Sequence, residues 1–205
     1  MDLKLAGKVA IVTGSSKGLG RASALALAQE GCAVVICARG GDALAAAARD
    51  IGGATGYPER VAAVEADLTT QAGVDAIVAA AVERFGGVDI LVNNIGIGKG
   101  AGLLETPDET WHEAFDGTLF PAIRASKQCI PLMRARGGGA IVLITSIWGR
   151  ESGGRMVYNA VKAAENSLAK TEKWENGTLV ETKGTEPKTR AGDPAGAAKA
   201  GKGDP

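Results

Sequence analysis

The stretch VAIVTGSSKGLGRASALALAQEG, residues 9–31, decides the fold. Its first four residues, Val9 to Val12, form a short uninterrupted apolar run. Such a run suits a parallel strand covered on both faces. Its last part, Leu19–Glu30, has the apolar spacing of a helix and stops at Gly31, a candidate C-terminal cap. Between them lies TGSSKGLG, Thr13 to Gly20. A glycine-rich turn that follows a strand and opens a helix is a phosphate-binding device. Gly14 permits a tight turn with positive φ, Gly18 lets backbone approach a pyrophosphate, and Gly20 lets the helix pack close. The helix N-terminus adds unpaired N–H groups and partial positive charge. The candidate phosphate-side positions are therefore Gly14, Ser16, Lys17, Gly18, Leu19 and Gly20. The competing reading is an ordinary glycine-rich connection.

Outward from this unit, strand and helix patterns alternate. Strands are expected at Ala33–Ala38, Val61–Ala66, Ile90–Asn93 and Ala140–Thr145. Helices are expected at Asp42–Asp50, with Asp42 as N-cap, and at Gln71–Phe85, which Gly86 and Gly87 close. Two further helices are expected at Asp108–Phe115 and Thr118–Arg136, and a last one at Met156–Lys170. This order implies right-handed βαβ crossovers and a doubly wound α/β fold with a parallel sheet.

Bulk properties bound the function. The 205 residues are 45% hydrophobic with zero formal net charge, which fits one globular domain and gives no argument for nucleic acid or a membrane surface. The apolar runs are strand-length and the N-terminus lacks a signal-peptide pattern, so the chain reads as cytoplasmic. Cys32, Cys37 and Cys129 read as buried thiols. With His112 the single histidine, no Cys/His cluster suits zinc.

The second strand ends in CARGG. An acid there holds a ribose 2′-hydroxyl in many dinucleotide sites, whereas here Arg39 stands at the tip and Lys17 in the turn. Two cations suit a 2′-phosphate, which favours NADP over NAD. Both also read as solvated surface charges.

Three stretches together carry a resemblance: TGSSKGLG, NNIG at Asn93–Gly96, and YNAVK at Tyr158–Lys162 with Ser146 twelve residues before the tyrosine. In this order and spacing, over residues 5–170, the chain resembles the short-chain dehydrogenase/reductase family. The resemblance implies a Rossmann-type sheet in the order 3-2-1-4-5, extended in the family by strands 6 and 7. It implies an oxidoreductase acting on a small-molecule carbonyl or alcohol, with NADP the cofactor that Arg39 and Lys17 favour. It places Asp67 and Leu68 beside the adenine, the backbone from Asn93 to Gly96 along the adenosine ribose, and Lys162 on the nicotinamide ribose. It also implies a homo-oligomer, with dimer contacts on the helices near 118–136 and 156–170. Asp67 reads equally as a helix cap.

The chemistry follows from residue types. Hydride transfer to a carbonyl needs a proton donor for the developing alkoxide. Lys162 stands at i+4 from Tyr158, so the two share a helix face and the ammonium favours a phenolate. Ser146, just past the fifth strand, can orient the substrate oxygen. The competing reading of Tyr158 is an aromatic packed on the sheet. Two positions depart from the family pattern. Ile95 replaces a usual Ala and crowds the cofactor, and Thr118 stands where an Asn supports a proton relay.

Residues 171–205 differ from the rest. Only Trp174, Leu179 and Val180 are large and apolar, and nine of the 35 residues are Gly or Pro. Such a segment cannot offset its ordering entropy, so residues 1–170 are expected to form the Rossmann domain and 171–205 a disordered non-family tail. Family strands 6 and 7 are not recognisable there. The tail reads as a truncation followed by unrelated sequence, which leaves the fifth strand as an apolar edge. Two other functions stay open: a dinucleotide-binding protein without turnover, and a truncation product without independent function.

Overall fold

The computed structural model describes residues 2–175 and 178–181. Five parallel strands, β1 (Val9–Val12), β2 (Ala33–Ala38), β3 (Val61–Glu65), β4 (Ile90–Asn93) and β5 (Ala140–Leu143), form one sheet in the order β3-β2-β1-β4-β5. Helices α1 (Gly18–Gln29) and α2 (Gly41–Thr55) cover one face, and α3 (Gln71–Phe85) and α4 (Asp108–Ala135) the other. The side chains of β1 show why its apolar run is continuous. Val9 and Ile11 enter the core with α3 and α4, while Ala10 and Val12 enter the core with α1 and α2. Every β1 side chain is buried because each face of the strand meets a helix layer. The cysteines are free and buried, and burial pushes the Cys37 thiol up to about 11 and Cys129 up to about 12.

Several boundaries differ from the sequence expectation, among them α2, which runs to Thr55 and not to Asp50, and β5, which ends at Leu143 and not at Thr145. The two helices expected at 108–115 and 118–136 are one, α4, running through Gly117 and Pro121. Its buried stripe Ala114, Thr118, Ala122, Ala125, Cys129 and Met133 keeps helical spacing across the expected break. Gly117 serves close packing there, since a Cβ would lie 2.0 Å from Ile97 Cδ1. Asp42 is not the N-cap of α2; Gly40 is, and Asp42 lies inside the first turn, where its charge suits the helix dipole. Finally, α5 (Met156–Thr171) leads into β6 (Glu172–Glu175), which pairs antiparallel with β7 (Thr178–Glu181) in a separate two-stranded sheet. The tail was expected to lack regular structure from residue 171; its first part carries this hairpin, and residues 182–205 lie outside the described residues. Among the described residues no strand pairs with the outer edge of β5, and Val142 on it is exposed.

The amino end of the sheet is held by Asp89. Its Oδ2 accepts from the Val9 N–H at 2.9 Å and from Arg136 Nη2 at 2.9 Å, and Lys8 lies 3.7 Å away. Burial pushes this carboxyl up, but the bonds from Arg136 and the Val9 N–H, with the charges of Arg136 and Lys8, hold it below the usual carboxylate range. A depressed folded value contributes stability that is present above the unfolded value of about 3.9 and is lost as pH falls through the folded one. Asp89→Asn is therefore expected to cost about 1.5–3 kcal/mol at pH 7, the worth of charged hydrogen bonds. The difference from the unmutated chain should shrink in melts below about pH 4. An unchanged gap across that range would contradict the role of this charge.

Candidate active site

The order of strands reverses beside β1, between β1 and β4, and the crevice at the carboxyl ends of these strands is the natural ligand site of such a sheet. The turn from β1 to α1 is built as its glycines suggest. Gly14 and Gly18 have φ of +62° and +59°, and a Cβ on Gly18 would meet nothing within 4 Å, so its backbone is open to a ligand. Gly20 serves a different contact from the expected one. A Cβ there would lie 2.4 Å from the Gly14 carbonyl oxygen and 2.5 Å from Asn94 Nδ2, so it makes room for the turn itself. Asn94 Nδ2 donates to the Thr13 and Gly14 carbonyls at 3.0 and 3.1 Å and fixes the turn to the end of β4. Ser15, fully buried, donates to the Val12 carbonyl and accepts from the Cys37 N–H, which ties the turn to β2.

A cleft of about 460 Å³ opens over this turn. Gly14, Ser16 and Lys17 line it from the turn, Arg39 from the tip of β2, Asp67 and Leu68 from the end of β3, and Gly96 from the end of β4. The chain thus brings most of the candidate positions to one surface. Leu19 is 70% exposed and lies outside that lining. Asn93 also lies outside it: it is buried at the end of β4, and its amide donates to Ser126 Oγ at 3.4 Å. The neighbouring Asn94 lines the cleft. Arg39 and Lys17 are exposed, and among the described residues neither side chain has an ion-pair partner. Asp67 lines the cleft and also orders the turn into α3, accepting from the Thr69 N–H at 3.0 Å. Ile95 packs on Gly14, with Cγ1 3.0 Å from where a Cβ would stand, so its bulk fills the turn's inner side. An open backbone at Gly18, a glycine cradle and two free cations fit a phosphate-bearing dinucleotide.

The other end of the crevice holds Ser146, Tyr158 and Lys162. Lys162 is 2% exposed; its Nζ donates to the Ile144 carbonyl, just past β5, at 2.9 Å and to Glu165 Oε2 at 2.6 Å. Tyr158, half-buried, lies one turn earlier on α5, with its ring centroid 5.8 Å from Nζ. Ser146 Oγ accepts from the Trp148 N–H at 3.2 Å, which leaves its O–H able to donate. The turn at Ile147–Gly149 presses on α5: a Cβ on Gly149 would lie 2.7 Å from the Lys162 carbonyl carbon. Thr118 is buried, and its hydroxyl accepts from the Ile97 N–H at 3.0 Å, so it holds the loop after β4. The two ends meet at Gly96, where a Cβ would stand 3.2 Å from Lys162 Nζ. Glu165 escaped the sequence reading, although a lone acid three residues after a lysine on an apolar helix face was a signal.

Known proteins share this fold. A family model described as short chain dehydrogenase matches residues 8–187. An uncharacterised oxidoreductase of Staphylococcus haemolyticus is 34% identical over 177 residues, 82% of this chain and 74% of the relative. A sorbitol dehydrogenase of Cereibacter sphaeroides is 36% identical over 174 residues, 82% of this chain and 64% of its own length. Among solved structures, L-sorbose reductase from Gluconobacter frateurii complexed with NADPH and L-sorbose aligns with a TM-score of 0.80 at 42% identity, covering 83% of this chain and 65% of that one. A 7α-hydroxysteroid dehydrogenase complexed with NADH aligns with a TM-score of 0.76 at 32% identity, covering 82% and 64%. The chain spans about two thirds of the length of several of these proteins. Among the described residues no helix is long and apolar enough to cross a membrane.

Proposed function

The chain belongs to the short-chain dehydrogenase family, and from that premise we propose that it is an NADP-dependent oxidoreductase interconverting a carbonyl and an alcohol. The observation that carries this reading is the junction at Gly96. The same glycine lines the nucleotide cleft and stands against Lys162 Nζ, so a ligand running from the glycine turn reaches the Ser-Tyr-Lys group. A bound dinucleotide would supply the hydride through its nicotinamide in reduction and would accept it in oxidation. The chain's own residues do the rest. The turn and the α1 N-terminus hold the pyrophosphate, and Lys17 and Arg39 hold the 2′-phosphate. Asp67 and Leu68 border the adenine, and Asn94 to Gly96 the ribose beside it. Lys162 directs its remaining N–H to the second ribose. Ser146 donates its hydroxyl to the substrate oxygen, and Tyr158 delivers the proton to that oxygen in reduction and takes it back in oxidation. Thr118 acts by holding the loop that carries Gly96.

A ketose or polyol is the first substrate class to test, because L-sorbose reductase and sorbitol dehydrogenase are among the proteins this chain is similar to. The same reading takes the enzyme as a cytoplasmic homo-oligomer, on the family resemblance. The Rossmann unit at 1–170 is the part that carries it.

The test is a titration with NADPH and NADH followed by nicotinamide fluorescence, then turnover with L-sorbose and a reactive diketone. NADPH should bind more tightly than NADH. A charge-assisted bond to phosphate is worth about 1.5–3 kcal/mol, so Arg39→Ala should weaken NADPH by about tenfold or more and leave NADH nearly unchanged. Binding of neither cofactor would sink the reading; equal losses for both would remove Arg39 from the 2′-phosphate.

A further inference from the structure

Two carboxylates are buried among the described residues, Asp89 and Glu165. Asp89 is accounted for by the clamp at the amino end of the sheet. Glu165 has no such structural duty. It is 1% exposed on α5, and its Oε2 accepts from Lys162 Nζ. Val161, four residues earlier on the same helix, is buried and apolar. Burial pushes the Glu165 carboxyl up against the opposing pull of the Lys162 bond and charge. A buried ion pair of this kind contributes little net stability relative to apolar side chains of the same size. What it does supply is a fixed place for each partner.

We infer that Glu165 is a positioning residue for Lys162, holding the ammonium so that one N–H is aimed at the ligand. An ammonium has three donors. The Ile144 carbonyl takes one at 2.9 Å and Glu165 Oε2 takes one at 2.6 Å. These anchors come from different elements, the end of β5 and the next turn of α5. Two anchors on opposite elements fix the nitrogen and leave a single donor. That donor has room on the side of Gly96, where a Cβ would come within 3.2 Å of Nζ. Without Glu165 the long side chain pivots on one bond, and the dinucleotide must order it on binding. This inference rests on the proposed nucleotide function and adds to it a residue that touches neither cofactor nor substrate.

The test uses the whole chain in two arms. In the ligand-free arm, lysines are acylated with an amine-reactive reagent and each site is followed by mass spectrometry. Glu165→Leu should raise the rate at Lys162 about tenfold or more, as expected for loss of a charged hydrogen bond, with exposed Lys170 as an unchanged control. In the binding arm, NADPH is compared with adenosine 2′,5′-bisphosphate, which lacks the nicotinamide ribose. NADPH affinity should fall about tenfold and the bisphosphate should stay within about twofold, because only the former reaches Lys162. Glu165→Gln, which keeps an acceptor oxygen of the same reach, should recover most of the NADPH affinity. A folded Leu variant with Lys162 still protected, or with equal losses for both ligands, would overturn the inference. If the unmutated chain binds neither ligand, the nucleotide reading falls and the acylation contrast alone decides the role of Glu165. Should Glu165→Leu fail to fold, Glu165→Asp, one methylene too short to reach Nζ, carries both readouts with the same expected signs.

Discussion

Tyr158→Phe is expected to lower turnover by about 100- to 10,000-fold, the usual worth of a positioned general acid. The ring stays, with its packing on α5, and only the hydroxyl is lost. The glycine turn that meets the phosphates lies at the other end of the crevice from Tyr158, so NADPH affinity should hold within about threefold. That split separates a chemical role from a packing role, since a tyrosine that merely packed would lose little in either. The measurement is single-turnover oxidation of bound NADPH by a reactive diketone in both proteins. Equal rates would remove the tyrosine from the chemistry. A parallel loss of rate and affinity would place its effect on the fold of α5 instead.

The second large effect is expected at Gly20. Any side chain there must displace the Gly14 carbonyl, 2.4 Å from its first carbon, and the Asn94 amide, 2.5 Å away. Neither is free to move. The Gly14 carbonyl accepts from Asn94, and Asn94 also holds Thr13. Overpacking of this kind costs roughly 1–3 kcal/mol in stability. The loss in function should be larger, because the strain is released into the turn that meets the phosphates. Gly20→Val should weaken NADPH, NADH and adenosine 2′,5′-bisphosphate alike, by about 100-fold or more, which corresponds to roughly 3 kcal/mol. Calorimetric titration with the three ligands distinguishes this pattern from that of Arg39→Ala, which discriminates between cofactors. Retained affinity in a folded Gly20→Val variant would show that the turn tolerates reshaping.

How much of this was legible in the residues depended on whether the signal was local. The strands β1, β2 and β4 and helix α3 stand where their apolar patterns put them, because in a sheet covered on both faces burial reads directly as an apolar run. The sheet order follows from the family resemblance, and the structure shows it. Helix α4 was divided because glycine and proline punctuate sequences, yet Gly117 is there to admit Ile97, a tertiary reason invisible along the chain. The hairpin of β6 and β7 had a local signal that composition masked: Asn176-Gly177 between two short runs, the pair most favourable to a two-residue connection. In the site, glycines and cations were legible by type and position. Asn93 and Asn94 were not separable, since a one-residue shift at a strand end exchanges a buried amide for one that faces the cleft. Glu165 carried a local signal, an acid three residues after Lys162, but its meaning lies in burial, which spacing along the chain does not state.

The tether between Asn94 and the glycine turn also sets an order of events in time. Its two bonds join residues 80 and 81 positions apart, and at the opposite end of the same strand pair Asp89 takes the Val9 N–H across 80 positions. Both ends of β1 are thus fastened by groups that a ribosome delivers about 80 residues later than β1 itself. The early chain owns every glycine of the turn and the Ser15 bonds to Val12 and Cys37, but not the Asn94 bonds that fasten the turn to β4. Closing so long a loop carries an entropic cost that the first strands and helix cannot offset alone. The nucleotide turn is therefore completed only in the step that seats β4 in the middle of the sheet, and a nascent chain shorter than that has the motif and its tie to β2 without the finished site.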